Sequence, residues 1–315
     1  MNAIMKKRTK QRKQKYKQMQ KVMLKDENLY LKTTNHTVKG NCSPATNDKT
    51  KQTCFTDPDL MLLKRLWNSK HVLRQIDTNN PTEIWKLLNF YLSKKCKKES
   101  CWLKQSFVDS NVRSNIANSS LAPFAPKEWK KNPNEWISSD EIIEVMTQYE
   151  TKYKCFKFIG PTPIDFDKKL RHGECVWEEM CHFNLKNYMK KGKTKFGISI
   201  NTDTYEGDGE HWVSLFINTK NKEIFYYDSA GMRIPSQVKR FVDRVIGQGK
   251  ELGIEFTFGE TYPVSHQYKN TECGVYSLFF LIHMLEDKIT SDYLKTHVIK
   301  DEYIETFRKI YFNHD

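Results

Sequence analysis

His266-Gln-Tyr-Lys-Asn-Thr-Glu-Cys-Gly-Val-Tyr-Ser-Leu-Phe-Phe-Leu-Ile-His-Met-Leu285 is polar up to Cys273 and almost unbroken apolar after it. The change of character predicts a loop that enters a buried helix at Cys273. A helix start presents unpaired N–H groups and the positive end of the dipole, which favour thiolate, the nucleophilic form of cysteine. Gly274 leaves room for another segment to come close. Taken alone, a cysteine ahead of an apolar helix reads as a small core residue, since free Cys is commonly buried. Its partners elsewhere in the chain decide which reading holds.

The chain has 315 residues, 38% hydrophobic and 13% aromatic, enough to build a sizeable core. No apolar run approaches the roughly 20 residues of a membrane helix, and the basic N-terminus has no apolar segment behind it. The expectation is a soluble intracellular protein whose eight cysteines are reduced thiols. Residues 1–25 hold ten Lys/Arg and no acid, so they supply ten of the net +14 charges, and the other 290 residues carry +4. Basic character therefore belongs to a tail. That tail reads as a solvated, disordered arm, with nucleic acid or a targeting receptor as the partner it could contact. The Asn- and Thr-rich residues 26–53 read as linker.

From Asp57 the pattern turns helical. Leu60, Leu62, Leu63, Leu66 and Trp67 follow Pro58, and a second helix begins near Pro81 with Ile84, Leu87, Leu88, Tyr91 and Leu92 on one side. Pro123, Pro126 and Pro133 then break the chain. The division is a basic tail at 1–25, a linker plus helical arm at 26–126, and a second domain at 127–315. Trp136 opens the latter, where Ser138 and Glu141 form a capping-box pattern and Ile137 and Ile142 a hydrophobic staple. Extended structure is expected over 156–166, a basic loop over 183–193, a strand from Phe196 and a glycine-bearing loop over 205–210. Strands at 211–217 and 224–227 form a hairpin, an amphipathic helix covers 234–246, a last strand 256–264 and a closing helix 301–312. The class is α+β.

The hairpin supplies the partners of Cys273. A turn centred between Thr219 and Lys220 pairs residues whose numbers sum to 439, which places His211 opposite Asp228. Cross-strand neighbours have Cβ atoms roughly 4.5–5.5 Å apart on one face. A nucleophilic thiol needs a base, and the base needs a third group to orient it; the pair offers both. The backbone N–H of Cys273 is one donor for a developing oxyanion. A side-chain amide upstream is the natural second, with Gln267 and Asn270 equally placed by spacing.

His211-Trp212, Tyr-Tyr-Asp228-Ser seventeen residues on, and Gln267 six residues before Cys273-Gly resemble the cysteine proteases that process ubiquitin-like modifiers (SUMO proteases) and adenovirus polyproteins. The pattern is more similar still to the protease of African swine fever virus that cleaves core polyproteins. The resemblance runs from about Trp136 to the C-terminus and fades in the arm, where only the surroundings of Cys101 look alike. It implies a papain-like cysteine protease core of the SUMO-protease/adenain type, a mixed sheet flanked by helices. Cys273 is then the nucleophile, His211 the base, Asp228 the orienting acid and Gln267, rather than Asn270, the oxyanion residue. The swine fever enzyme has Asn where this chain has Asp228, a departure that bears on pH dependence.

Asn201 matches a position near the family's active site. Cleavage after Gly-Gly is implied, through a tunnel for which Trp212 and Trp136 are candidate walls. The implied substrates are viral structural polyproteins, cut during virion maturation in the cytoplasmic virus factory and the virion core, with no cofactor and no membrane partner. Two other readings are a deconjugating isopeptidase acting on ubiquitin-like modifiers and an inert protease-fold binding protein with a nucleic-acid-binding tail. His172, Cys175, Cys181 and His182 cluster ligand types at intervals that fit no common structural zinc site, and Cys96 with Cys101 fares no better, so no metal site is expected.

Overall fold

A computed structural model describes residues 41–48 and 50–314; the basic segment 1–25 and the linker up to residue 40 lie outside them. The elements, in chain order, are α1 (Asp57–Lys70), α2 (Pro81–Leu92), α3 (Glu99–Trp102), α4 (Ser110–Ser120), α5 (Ser139–Lys152), β1 (Phe156–Pro163), α6 (Glu178–Cys181), α7 (Leu185–Lys190), β2 (Lys195–Asn201), β3 (Trp212–Asn218), β4 (Glu223–Tyr227), α8 (Ser236–Glu251), β5 (Thr257–Glu260), α9 (Cys273–Leu285), α10 (Ser291–Thr296), α11 (Asp301–Glu305) and α12 (Arg308–Tyr311).

The five strands form one mixed sheet in chain order, parallel at β1–β2 and β4–β5 and antiparallel at β2–β3 and β3–β4. Alternation along β3 explains the layers. Trp212 and Phe216 join the core that contains α5 and α9, while Val213, Leu215 and Ile217 join the core that contains α8. Every residue of α9 is buried, which its apolar sequence requires, and α8 is amphipathic, burying Val238, Phe241, Val242 and Val245. The Ser138 cap closes as its sequence demands: Ser138 Oγ accepts from Asp140 N, and Glu141 Oε2 accepts from Ser138 N at 2.7 Å. A third core lies within the arm, where Leu60, Leu63, Trp67, Ile84, Leu88 and Trp102 pack together. Asn313 ties this arm to the C-terminal segment, donating from Nδ2 to Asn41 O at 2.9 Å and to Ala122 O at 2.8 Å.

Several expectations need correction. Residues 41–53 are not free linker: Ser43 is buried and donates its N–H to Ser120 O at 3.0 Å. The eight cysteines are not all reduced, because Cys42–Cys54, Cys96–Cys101 and Cys175–Cys181 are disulfides and only Cys155 and Cys273 are free thiols. Folding brings the paired Cα atoms to 5.0, 5.4 and 6.3 Å, bridging distances that a cysteine count cannot reveal. The basic stretch 183–193 is partly helical, since Asn184 caps α7 by accepting from Asn187 N. The last strand is shorter than expected. Val264 N turns back to Thr261 O, and Pro263 has no N–H for a ladder. The closing helix is two, because Thr306, Phe307 and Lys309 make tight bonds to the third residue before them while Phe307 is driven into the core.

Candidate active site

Cys273 is the first residue of α9 and 5% exposed, so its N–H precedes the intrahelical ladder. Gly274 lets that helix start approach two other elements: a Cβ there would lie 3.0 Å from Ile137 Cβ and 3.2 Å from Trp212 Cδ1. The preceding residue, Glu272, is fully buried and pairs with Arg308 at 2.9 Å, an ion pair that anchors the loop entering the helix. Removing one partner of such a pair leaves a buried charge and costs about 3–5 kcal/mol.

The hairpin register differs from the expected one by two. Ser214 pairs with Tyr227 and Leu215 with Tyr226, so opposed residues sum to 441, and the turn centres between Lys220 and Asn221. Asn218 builds it, accepting on Oδ1 from the N–H groups of Lys220 and Asn221, and Lys222 takes a positive φ of 55°. A shift of two preserves the face of every side chain, whereas a shift of one would have inverted it. His211, just before β3, and Asp228, just after β4, therefore meet diagonally, with His211 Nε2 donating to Asp228 Oδ1 at 2.7 Å.

Asp228 is 2% exposed and itself fixed. Its Oδ1 also accepts from Ala230 N at 2.8 Å, and its N–H donates to Thr261 Oγ1 at 2.9 Å. His211 also lies close enough to Cys273 for the two side chains to interact electrostatically. Burial opposes a charge on His211, but the hydrogen bond and negative charge of Asp228 and the interaction with Cys273 outweigh it and raise the imidazole well above its ordinary value. The arrangement can hold an imidazolium beside a thiolate and pass a proton between base and leaving group.

Gln267 lies in the loop before α9, with its Oε1 accepting from Ser229 Oγ and its Nε2 donating to Lys269 O, both at 2.7 Å. Asn270 is exposed. A cleft of about 570 Å³ reaches Cys273 and is lined by Trp136, Trp212 and Asn201. Trp136 is 49% exposed, whereas Trp212 is buried and donates Nε1 to Ile137 O at 3.0 Å, so one indole is free to meet a ligand and the other braces the wall. Asn201 shapes the neighbouring loop: its Oδ1 accepts from Asp203 N and Glu210 N. Trp177 and Tyr205 also line the cleft. Neither had a periodic signal, although aromatic residues flanking turn-rich segments were visible. Ser229 and Thr261 were missed too; the Asp-Ser-Ala-Gly turn signature was the available clue to Ser229.

His266 is fully buried, and its Nδ1 accepts from Ile299 N at 3.1 Å, so the proton sits on Nε2. Burial drives it down to about 3, holding it neutral. Cys175, Cys181 and His182 bring their ligand atoms within 4.8 Å of one another, but the two sulfurs are bonded to each other. Among the described residues no helix is long and apolar enough to cross a membrane.

Residues 142–315 match the family model of the Ulp1 protease family, C-terminal catalytic domain. A protein of Acanthamoeba polyphaga mimivirus named as a thiol protease is 26% identical over 290 residues, covering 86% of this chain and 92% of that protein. A protein of African swine fever virus named as a SUMO-1 cysteine protease is 26% identical over 262 residues, covering 77% of this chain and 96% of its own. The crystal structure of the African swine fever virus protease superposes with a TM-score of 0.61 at 20% identity, covering 89% of this chain and 98% of that one. The overlap extends beyond the sheet into the helical arm.

Proposed function

Because the chain belongs to the Ulp1 protease family and is a cysteine protease of that family, we propose that it is an endopeptidase that cuts viral structural polyproteins after Gly-Gly during particle maturation, in the cytoplasmic virus factory and the virion core. One observation carries the chemistry: His211 is hydrogen-bonded to buried Asp228 and interacts with Cys273, which lines an open cleft.

In this reading the Cys273 thiolate attacks the carbonyl carbon of the scissile glycine, and the carbonyl oxygen becomes an oxyanion. The Cys273 N–H and the Gln267 amide stabilise it; losing one such donor costs about 100–1,000-fold in rate. His211 then gives its proton to the departing amine as the C–N bond breaks, leaving a thioester. A water deprotonated by His211 hydrolyses the thioester and restores the thiol. Asp228 keeps the imidazole oriented and stabilises its cation throughout. Trp136 and Trp212 line the cleft that reaches Cys273, the position expected of walls that favour residues without side chains next to the cut.

The test is cleavage of two substrates side by side, a viral core-polyprotein junction bearing Gly-Gly-Xaa and a SUMO precursor. Preferential cutting of the junction supports the proposal; preferential maturation of the SUMO precursor replaces it with the deconjugating reading.

A further inference from the structure

Gln267 sits in a loop without secondary structure, yet its amide has a defined orientation. The carbonyl of Lys269 can only accept, so the group facing it at 2.7 Å is the NH2 of Gln267. Oε1 is thereby turned to the Ser229 hydroxyl, which donates to it at 2.7 Å. The main chain of Ser229 holds the same segment, its carbonyl accepting from both His266 N and Gln267 N at 2.8 Å. Ser229 is 1% exposed and directly follows Asp228, so two consecutive residues reach the base on one side and the amide on the other.

A second clamp acts from the opposite end of the loop. Asp301, 4% exposed at the start of α11, accepts on Oδ2 from Tyr268 N at 2.9 Å and Lys269 N at 3.0 Å. Its Oδ1 accepts from the hydroxyl of Tyr276 at 3.0 Å, and Tyr276 lies on the nucleophile's own helix. Asp301 thus holds Lys269, the residue whose carbonyl orients the Gln267 amide, and refers it to α9.

We infer that Ser229 and Asp301 are positioning residues for the oxyanion side of the reaction, fixing the Gln267 amide so that one N–H is held by Lys269 O and the other is left for the substrate oxygen. The inference rests on the oxyanion role proposed for Gln267. Neither residue touches substrate; both act through Gln267.

The experiment measures two rates on the full chain for Ser229→Ala, Asp301→Ala, Gln267→Ala and the Ser229→Ala/Gln267→Ala double variant. Turnover of a Gly-Gly-Xaa peptide needs the oxyanion donors, whereas alkylation of Cys273 by iodoacetamide needs only the thiolate. A misplacement near 1 Å costs up to about 100-fold in rate, so Ser229→Ala should lower kcat roughly 10- to 100-fold with KM and alkylation unchanged. In the Gln267→Ala background it should add almost nothing, because residues acting as a unit are not additive. Asp301→Ala should show the same split, and its unchanged alkylation also verifies that the site is folded. A parallel loss of alkylation in Ser229→Ala, or full additivity with Gln267→Ala, overturns the inference. A large kcat loss in Gln267→Ala with none in Ser229→Ala overturns it alone; an unchanged kcat in Gln267→Ala removes the oxyanion reading as well.

Discussion

The hairpin that carries His211 and Asp228 and the loop that carries Gln267 and Cys273 place their groups by opposite means. In the hairpin a backbone ladder does the placing, and side-chain direction follows from strand period. In the loop there is no ladder, and distant groups do it: the hydroxyl and carbonyl of Ser229, the Asp301 carboxylate and the Glu272–Arg308 pair. Their histidines differ in the same way. His211 gains partners for its proton and is raised, while His266 loses water without gaining an anion and is lowered to about 3. The lesson is that a period-coded placement tolerates error, since a register change of two kept His211 and Asp228 together. The loop has no comparable tolerance.

Perturbations can be ranked against that contrast. Cys273→Ala should abolish cleavage, with kcat falling by a factor on the order of 10⁶, while the melting curve is little changed; a peptidase assay and thermal unfolding check it. Gln267→Ala, on the loop side, should cost about 100–1,000-fold in kcat and leave thiol alkylation intact. On the hairpin side, Asp228→Ala should lower both rates. It removes a partner that raises His211, so the imidazolium is lost at lower pH and the alkaline limb of kcat/KM moves down the pH axis, which a pH–rate profile reads directly.

Legibility in the sequence divides along the same line. The helix start at Cys273, the capping box at Ser138 and the strands from Phe196 and His211 could all be read, because each is coded by neighbours or by a short period. The pairing of His211 with Asp228 was reached through a register that was wrong by two, and it survived because only parity mattered. The clamping contacts of Ser229 and Asp301 and the pairing of the disulfides could not be read. Asp301 meets Tyr268 thirty-three residues away, and no local pattern encodes such a contact. The choice of Gln267 over Asn270 came from family resemblance; in the structure Gln267 is held by Ser229, whereas Asn270 is exposed.

Acid titration sharpens the comparison further. His266 and His283, lowered to about 3 and about 4, bind protons more readily in the unfolded chain, so stability rises with pH from there to the ordinary histidine range near 6.5. His211 has the reverse sign: its contribution is complete below that range and fades as pH rises through its raised value. Urea unfolding should therefore show an acid-side loss that His266→Gln reduces and His211→Gln does not. The smallest effect belongs to Trp136→Ala, a change at an exposed cleft wall, expected to raise KM by roughly 2- to 10-fold for a Gly-Gly peptide at the cost of one aromatic contact.

The most direct measurement of the central claim is mapping where a Gly-Gly-derived electrophile becomes attached. Two free thiols compete, the catalytic candidate Cys273 and the half-buried Cys155. Peptide mass spectrometry should find the adduct on Cys273, forming slowly or not at all in His211→Asn. Labelling of Cys155 instead, or labelling of Cys273 at an undiminished rate in His211→Asn, would contradict it.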